Sequence, residues 1–238
     1  MSYPKFMKRE RTSLWVMAYG VYVYYSALSL RKASRILEPF QNRSYEAIRQ
    51  WVHRFSFLAS RFRVRRDSVH SILIDETMIR IGGKEAWVWV AFDPLNRQFL
   101  GFRICYQRNI LDAYYFIRHL RSRYGRKPIW TDEGTWYPEA CRWLGMEHHV
   151  YLIGWKNFME RLNETFKDRV ECFDDYFPCW KEECNRRHVF LWIKMFYFYY
   201  NFVREHSELG FPPALYDSPL KDRSEADRFI SLVQEAIQ

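Results

Sequence analysis

The stretch Ser71-Ile-Leu-Ile-Asp-Glu-Thr77 constrains the fold more than any other. Ile72, Leu73 and Ile74 form an apolar run too short for a helix and read as a buried strand. Asp75 closes that run, and a carboxylate at a strand tip faces the crevice where mixed α/β sheets bind ligands. The pattern recurs at Pro128-Ile-Trp-Thr-Asp132-Glu-Gly134. A third acid, Glu160, stands in the helix-like run Asn157-Phe-Met-Glu160-Arg-Leu-Asn-Glu-Thr-Phe-Lys167.

The 238 residues suffice for one medium domain and a small one. A hydrophobic content of 48% without low-complexity tracts predicts a folded chain. Lys and Arg number 37 against 28 acidic residues, a net charge of +9 that favours a polyanionic partner. Five cysteines, at 105, 141, 172, 179 and 184, make no disulfide framework. With His148 and His149 they also fit no zinc-finger spacing. No signal-peptide pattern is present, and the apolar runs at 15–30 and 190–203 fall short of the roughly 20 residues a membrane span needs. A cytoplasmic, nucleoid-associated protein without membrane contact is expected.

Residues 1–66 read as an all-α domain. A helix over 13–28 is followed by a short amphipathic one, Ser29-Leu-Arg-Lys-Ala-Ser-Arg-Ile-Leu37, with Ser29 as N-cap and Leu30, Ala33, Ile36 and Leu37 on one face. After a turn at 38–43, Ser44 caps a further helix with Ile48, Trp51, Val52 and Phe55 inward. The pair fits a helix-turn-helix whose second helix presents Tyr45, Glu46, Arg49, Gln50 and His53. Arg49 and Gln50 have the chemistry to read guanine and adenine edges. The basic connector 61–66 supplies Arg63, Arg65 and Arg66 for DNA and marks the boundary to a domain over 67–209, followed by a tail and helix over 210–238.

Beyond the connector the pattern becomes β-β-β-α-β-α-β-α. Gly82-Gly83 signals a hairpin, 86–92 and 99–106 read as strands, 111–124 as helix, 129–131 as strand, 137–144 as helix and 149–152 as a fifth strand. Three antiparallel strands followed by alternating helix and strand is the order of the RNase H-like fold. The expected class is therefore α/β (α+β), a mixed five-stranded sheet flanked by helices behind an all-α domain. The aromatic run 190–202 reads as a helix packed on that sheet.

Two strand aspartates and a helix glutamate offer only oxygen ligands, suited to Mg²⁺. Two such ions about 3.5–4 Å apart activate an attacking oxygen and stabilise a leaving one at a phosphodiester. Asp75 would bridge both ions, Asp132 would complete one and Glu160 the other. Glu164 shares a face with Glu160 and is its rival. Glu76 and Glu133 are expected to point away, though either could replace a neighbour. Lys167, two helical turns beyond Glu160, could reach a DNA phosphate or damp the acids.

Met159-Glu160-Arg161, Thr165-Phe-Lys-Asp-Arg169, Phe173 and Phe177-Pro178 resemble the glutamate motif of DDE transposases of insertion sequence family six, particularly archaeal members. Ile74-Asp75-Glu76-Thr77 with Gly82-Gly-Lys84 and Trp87 is similar to their first motif, and Thr131-Asp132-Glu133-Gly134 with Trp136-Tyr137 to their second. The segment Tyr200-Asn-Phe-Val-Arg204, with His206 to Leu209 and Pro212-Pro-Ala214, resembles the C-terminal signature of transposases and integrases. The resemblance covers roughly residues 28–214, although Asp132 and Glu160 stand only 28 positions apart, shorter than in most of the superfamily. It implies binding of terminal inverted repeats, nicking dependent on Mg²⁺ or Mn²⁺, and transfer of the freed 3′-OH into target DNA by a homodimer or larger assembly. An inactivated, domesticated DNA-binding regulator and a structure-specific RNase H-like nuclease are the alternatives.

Overall fold

Gly82 and Gly83 set the sheet's geometry. Both have positive φ, 56° and 75°, which a two-residue type I′ turn demands and glycine adopts without a Cβ clash. The turn joins β1 (Ile72–Ile81) to β2 (Lys84–Asp93), which pair antiparallel from Leu73↔Phe92 to Ile81↔Lys84. β3 (Gln98–Cys105) extends the meander beyond β2, with a register shift between Ala91 and Phe92. The computed structural model describes residues 11–27, 29–151 and 186–237.

Two helical crossovers complete the sheet. α5 (Ile110–Tyr124) leads to β4 (Ile129–Thr131), and α6 (Trp136–Leu144) to β5 (His148–Val150). β4 lies parallel to β1 and β5 parallel to β4, giving the order β3-β2-β1-β4-β5. This is the RNase H-like arrangement that the strand and helix order implied. Trp89 of β2, fully buried, fastens both crossovers: its ring lies 6.4 Å from Phe116 of α5 and 5.5 Å from Tyr137 of α6. Asn109 caps α5 by accepting from the Asp112 N–H at 3.0 Å, and Tyr124 at its other end donates to the Leu100 carbonyl at 2.7 Å.

β1 differs from expectation in one respect. Asp75 is not at a strand tip; the strand runs on to Ile81, with Thr77, Ile79 and Ile81 buried and Met78 and Arg80 exposed between them. That half-buried alternation contains no apolar run, so only the first half of the strand stands out in the sequence.

The chain divides into a unit over Val64–Phe190 and a second built from residues up to Arg63 and from Leu191 onward. The helical unit holds α1 (Leu14–Ala27), α2 (Leu30–Leu37), α3 (Tyr45–Phe55) and the short α4 (Leu58–Arg61). Ser29 and Ser44 cap α2 and α3 as expected, accepting from Lys32 N–H at 3.1 Å and Ala47 N–H at 3.3 Å. Ala33 and Leu37 of α2 are buried while Ile36 is exposed; all four expected α3 residues, Ile48, Trp51, Val52 and Phe55, are buried.

The aromatic helix α7 (Arg186–Phe202) and α8 (Glu225–Ile237) follow. Phe190 meets Phe102 of β3 at 5.3 Å. From Leu191 onward, however, α7 belongs with the N-terminal helices, whereas the sequence reading assigned it to the sheet domain. The physical reason is matched chemistry with tyrosine-rich α1. Trp192 donates to the Tyr24 hydroxyl and Tyr25 to the Trp192 carbonyl, both at 3.1 Å. Tyr25 also stacks on Tyr199 at 5.3 Å. The fully buried Arg228 of α8 donates to the carbonyls of Val203, Leu220, Lys221 and Arg223. The segment expected as a separate tail is thus tied to the end of α7.

No helix among the described residues is long and apolar enough to cross a membrane. In urea unfolding, Trp51→Ala should destabilise the helical unit by about 3–5 kcal/mol. Loss of the α3 cap in Ser44→Ala should cost about 1 kcal/mol.

Candidate active site

The parallel pairing of β1 with β4 comprises Ile72↔Ile129 and Leu73↔Trp130. Extending that offset, three residues on from each first pair, puts Asp132 level with Asp75 (75 − 72 = 132 − 129). β4 stops at Thr131, so beyond it no strand among the described residues flanks β1 on that side. Into this space Asp75, Glu76 and Asp132 bring carboxylate oxygens that all lie within 4.8 Å of one another.

Asp132 is held by its own loop. Its Oδ1 accepts the Gly134 N–H at 3.0 Å. The buried Thr131 hydroxyl donates to the Asp132 carbonyl at 2.7 Å and lies 2.9 Å from His148 Nε2. Burial lowers the pKa of His148, and the neighbouring His149 adds to the effect. Gly134 leaves no spare room: a Cβ there would stand 3.0 Å from Asp132 Oδ1 and from two atoms of the Trp136 ring.

Glu76, expected to point away though able to replace a neighbour, joins the two aspartates instead. Strand alternation suggested that it points away from Asp75, but the two carboxylates reach the same space. Glu76 Oε2 accepts from the Tyr137 hydroxyl, and Oε1 is buried with no hydrogen-bond partner among the described residues. Burial pushes the Glu76 carboxyl up to about 7, with Asp132 and Asp75 adding repulsion; the Tyr137 hydrogen bond and the Arg108 charge oppose the rise. Burial and the Glu76 charge raise Tyr137 well above the ordinary phenol range, so it remains a donor. The sequence marked Tyr137 only as part of the second motif's resemblance; its hydrogen bond to Glu76 is seen in the fold.

Three oxygen-donor carboxylates within one small space, one with an orphaned buried oxygen, fit a hard divalent cation. Asp75, Glu76 and Asp132 are the described residues that could hold it. Glu133 is exposed beside them. Glu160, Glu164 and Lys167 lie outside the described residues.

In the helical unit Tyr45 is 48% exposed and has Arg31 over its ring at 5.6 Å. Arg49 is paired with Glu46 at 2.6 and 2.8 Å, and Gln50 donates to the same carboxylate at 3.4 Å. The Arg49 hydrogen bond holds Glu46 below the usual carboxylate range. His53 is half-buried and Arg63 exposed; Arg65 and Arg66, at the start of the sheet unit, are exposed, with Arg65 bonded to Asp67.

Mg²⁺ or Mn²⁺ should raise the thermal stability of the chain, by ~1.4 kcal/mol at ten times Kd. Asp132→Asn should remove that gain, and Gly134→Ala should weaken it by displacing the Asp132 carboxylate. Without divalent cation, stability should fall as pH rises from the ordinary glutamate value towards about 7. Over that range the folded chain retains a Glu76 proton that the unfolded chain releases. Glu76→Gln should flatten this slope in urea titrations.

A DDE-domain family profile matches residues 69–175. The uncharacterized protein MJ0017 of Methanocaldococcus jannaschii is 33% identical over 201 residues, covering 84% of this chain and 92% of its own length. Among solved structures, the HTLV-2 integrase catalytic core domain in complex with magnesium aligns with 58% of this chain and 89% of its own, at 15% identity and a TM-score of 0.44. The catalytic core domain of BIV integrase aligns with 72% of this chain and 100% of its own, also at 15% identity and 0.44. The profile match spans β1 with Asp75 and β4 with the loop that carries Asp132, within a sheet of RNase H-like order. The chain belongs to the DDE transposase family.

Proposed function

We propose that the protein is a transposase that binds the terminal inverted repeats of an insertion sequence, nicks them and joins the freed 3′-OH to target DNA. The observation that carries this reading is the register that sets Asp75 level with Asp132, their carboxylates within 4.8 Å of each other and of Glu76, inside a DDE domain.

Asp75 and Asp132 would hold Mg²⁺ or Mn²⁺, two ions being expected, with Glu160 assigned as the third ligand of the DDE set from its motif. Glu76 contributes its unpartnered oxygen beside them or, protonated, relieves the repulsion. When bound, the cations neutralise the phosphodiester's charge and favour loss of the attacking oxygen's proton. Tyr137 fixes the Glu76 carboxylate, and the Gly134 N–H fixes that of Asp132, so the acids are oriented before DNA arrives. Lys167 is assigned to reach a DNA phosphate or to damp the acids.

The helical unit delivers the element end. Tyr45, Arg49, Gln50 and His53 face the major groove, and Arg63, Arg65 and Arg66 contact the backbone. Arg49 exchanges Glu46 for a guanine edge, and Glu46 restrains it until the right base appears. Two ends must be held together, so the active form is a homodimer or larger assembly.

The test uses the full chain and duplex oligonucleotides copied from the DNA flanking its gene. Nicking at the element boundary should require Mg²⁺ or Mn²⁺ and stop in EDTA. Asp75→Asn should lower it by several kcal/mol of barrier, roughly a thousandfold, while end binding persists. Undiminished nicking by Asp75→Asn would reject the assignment.

A further inference from the structure

Arg108, between β3 and α5, is exposed, yet its guanidinium is gripped by two indoles. Its Cζ lies 4.3 Å from the centre of the Trp87 ring and 4.5 Å from that of Trp136. Two cation–π contacts at such range hold a planar cation in place before any ligand arrives. Both indoles belong to the framework of the acid cluster. Trp87 sits on β2 opposite Met78 of β1, and Trp136 opens α6 and packs against Gly134, whose N–H holds Asp132. Arg108 is also near enough to Glu76 to oppose the rise of its pKa. Among the described residues, no hydrogen-bond acceptor or carboxylate partner engages the guanidinium.

We infer that Arg108, clamped between Trp87 and Trp136, grips a phosphate of the nucleic-acid strand that enters beside Asp75 and Asp132. The inference rests on the reading of the acid cluster as a DNA-processing site. The guanidinium fork matches phosphate oxygens two at a time, which an ammonium cannot do. The indoles have already removed much of the side chain's rotamer freedom, a cost that an unsupported surface arginine meets on binding. A fixed cation is also what a strand needs to approach a cluster of three carboxylates that would otherwise repel it.

The test measures fluorescence anisotropy of labelled single-stranded oligothymidylate with the full chain, in EDTA, across a salt series. Arg108→Gln should weaken binding about tenfold. It should also lower the slope of log K against log salt by about 0.7, one phosphate contact on a single strand. Arg108→Lys, which keeps the charge, should retain the slope and bind several-fold more weakly. A wild-type slope in Arg108→Gln overturns the inference, leaving Arg108 as a loop tether or a counter-charge to the acids. An equal loss of slope in Arg108→Lys also overturns it, because the charge would then not be the cause. The assay needs no cutting: a slope change without nicking of flanking-DNA duplexes sinks the transposase reading alone, and nicking with an unchanged slope sinks the phosphate grip alone.

Discussion

Two residue pairs between parallel strands, Ile72 with Ile129 and Leu73 with Trp130, are the constraint on which the site depends. They fix the level of β4 against β1, and hence of Asp132 against Asp75, although the two aspartates are far apart along the chain. A one-residue slip would turn Asp132 to the other face of the sheet. The shortness of the pairing matters equally. Because β4 ends at Thr131, the space above it stays open for carboxylates rather than for another rung of backbone hydrogen bonds.

That space concentrates negative charge, and the surrounding chemistry manages it. Glu76 keeps its proton to about neutral pH, Tyr137 donates to it, and the Gly134 N–H donates to Asp132. Trp89 anchors the helices carrying Phe116 and Tyr137, so a packing residue of the core also fixes a polar group at the site. The link from packing to chemistry passes through one indole ring.

Much of this could be read from the sequence. The hairpin glycines, β4, the serine caps and the inward face of α3 followed from local rules of turn chemistry and periodicity. Asp75 and Asp132 stood out because each ends an apolar run. Other features depend on tertiary structure. The exposed alternation in the second half of β1 hid the true length of that strand. Glu76 appeared to point away because successive strand side chains alternate faces, yet its carboxylate comes within reach of those of Asp75 and Asp132. The aromatic run at 190–202 looked like a helix that covers the sheet; hydrogen bonds joining Trp192 to Tyr24 and Tyr25 show that it packs on α1.

The division of the chain bears on how it is made. The sheet unit, Val64–Phe190, is one unbroken stretch, whereas the helical unit draws on residues from both sides of it. As the polypeptide leaves the ribosome, α1 to α4 emerge first but lack the α7 and α8 surfaces that bury their tyrosines. The sheet unit has its five described strands well before those partners appear. The catalytic half can therefore fold during translation, and the half that would recognise DNA completes its core last, when α8 closes over the end of α7.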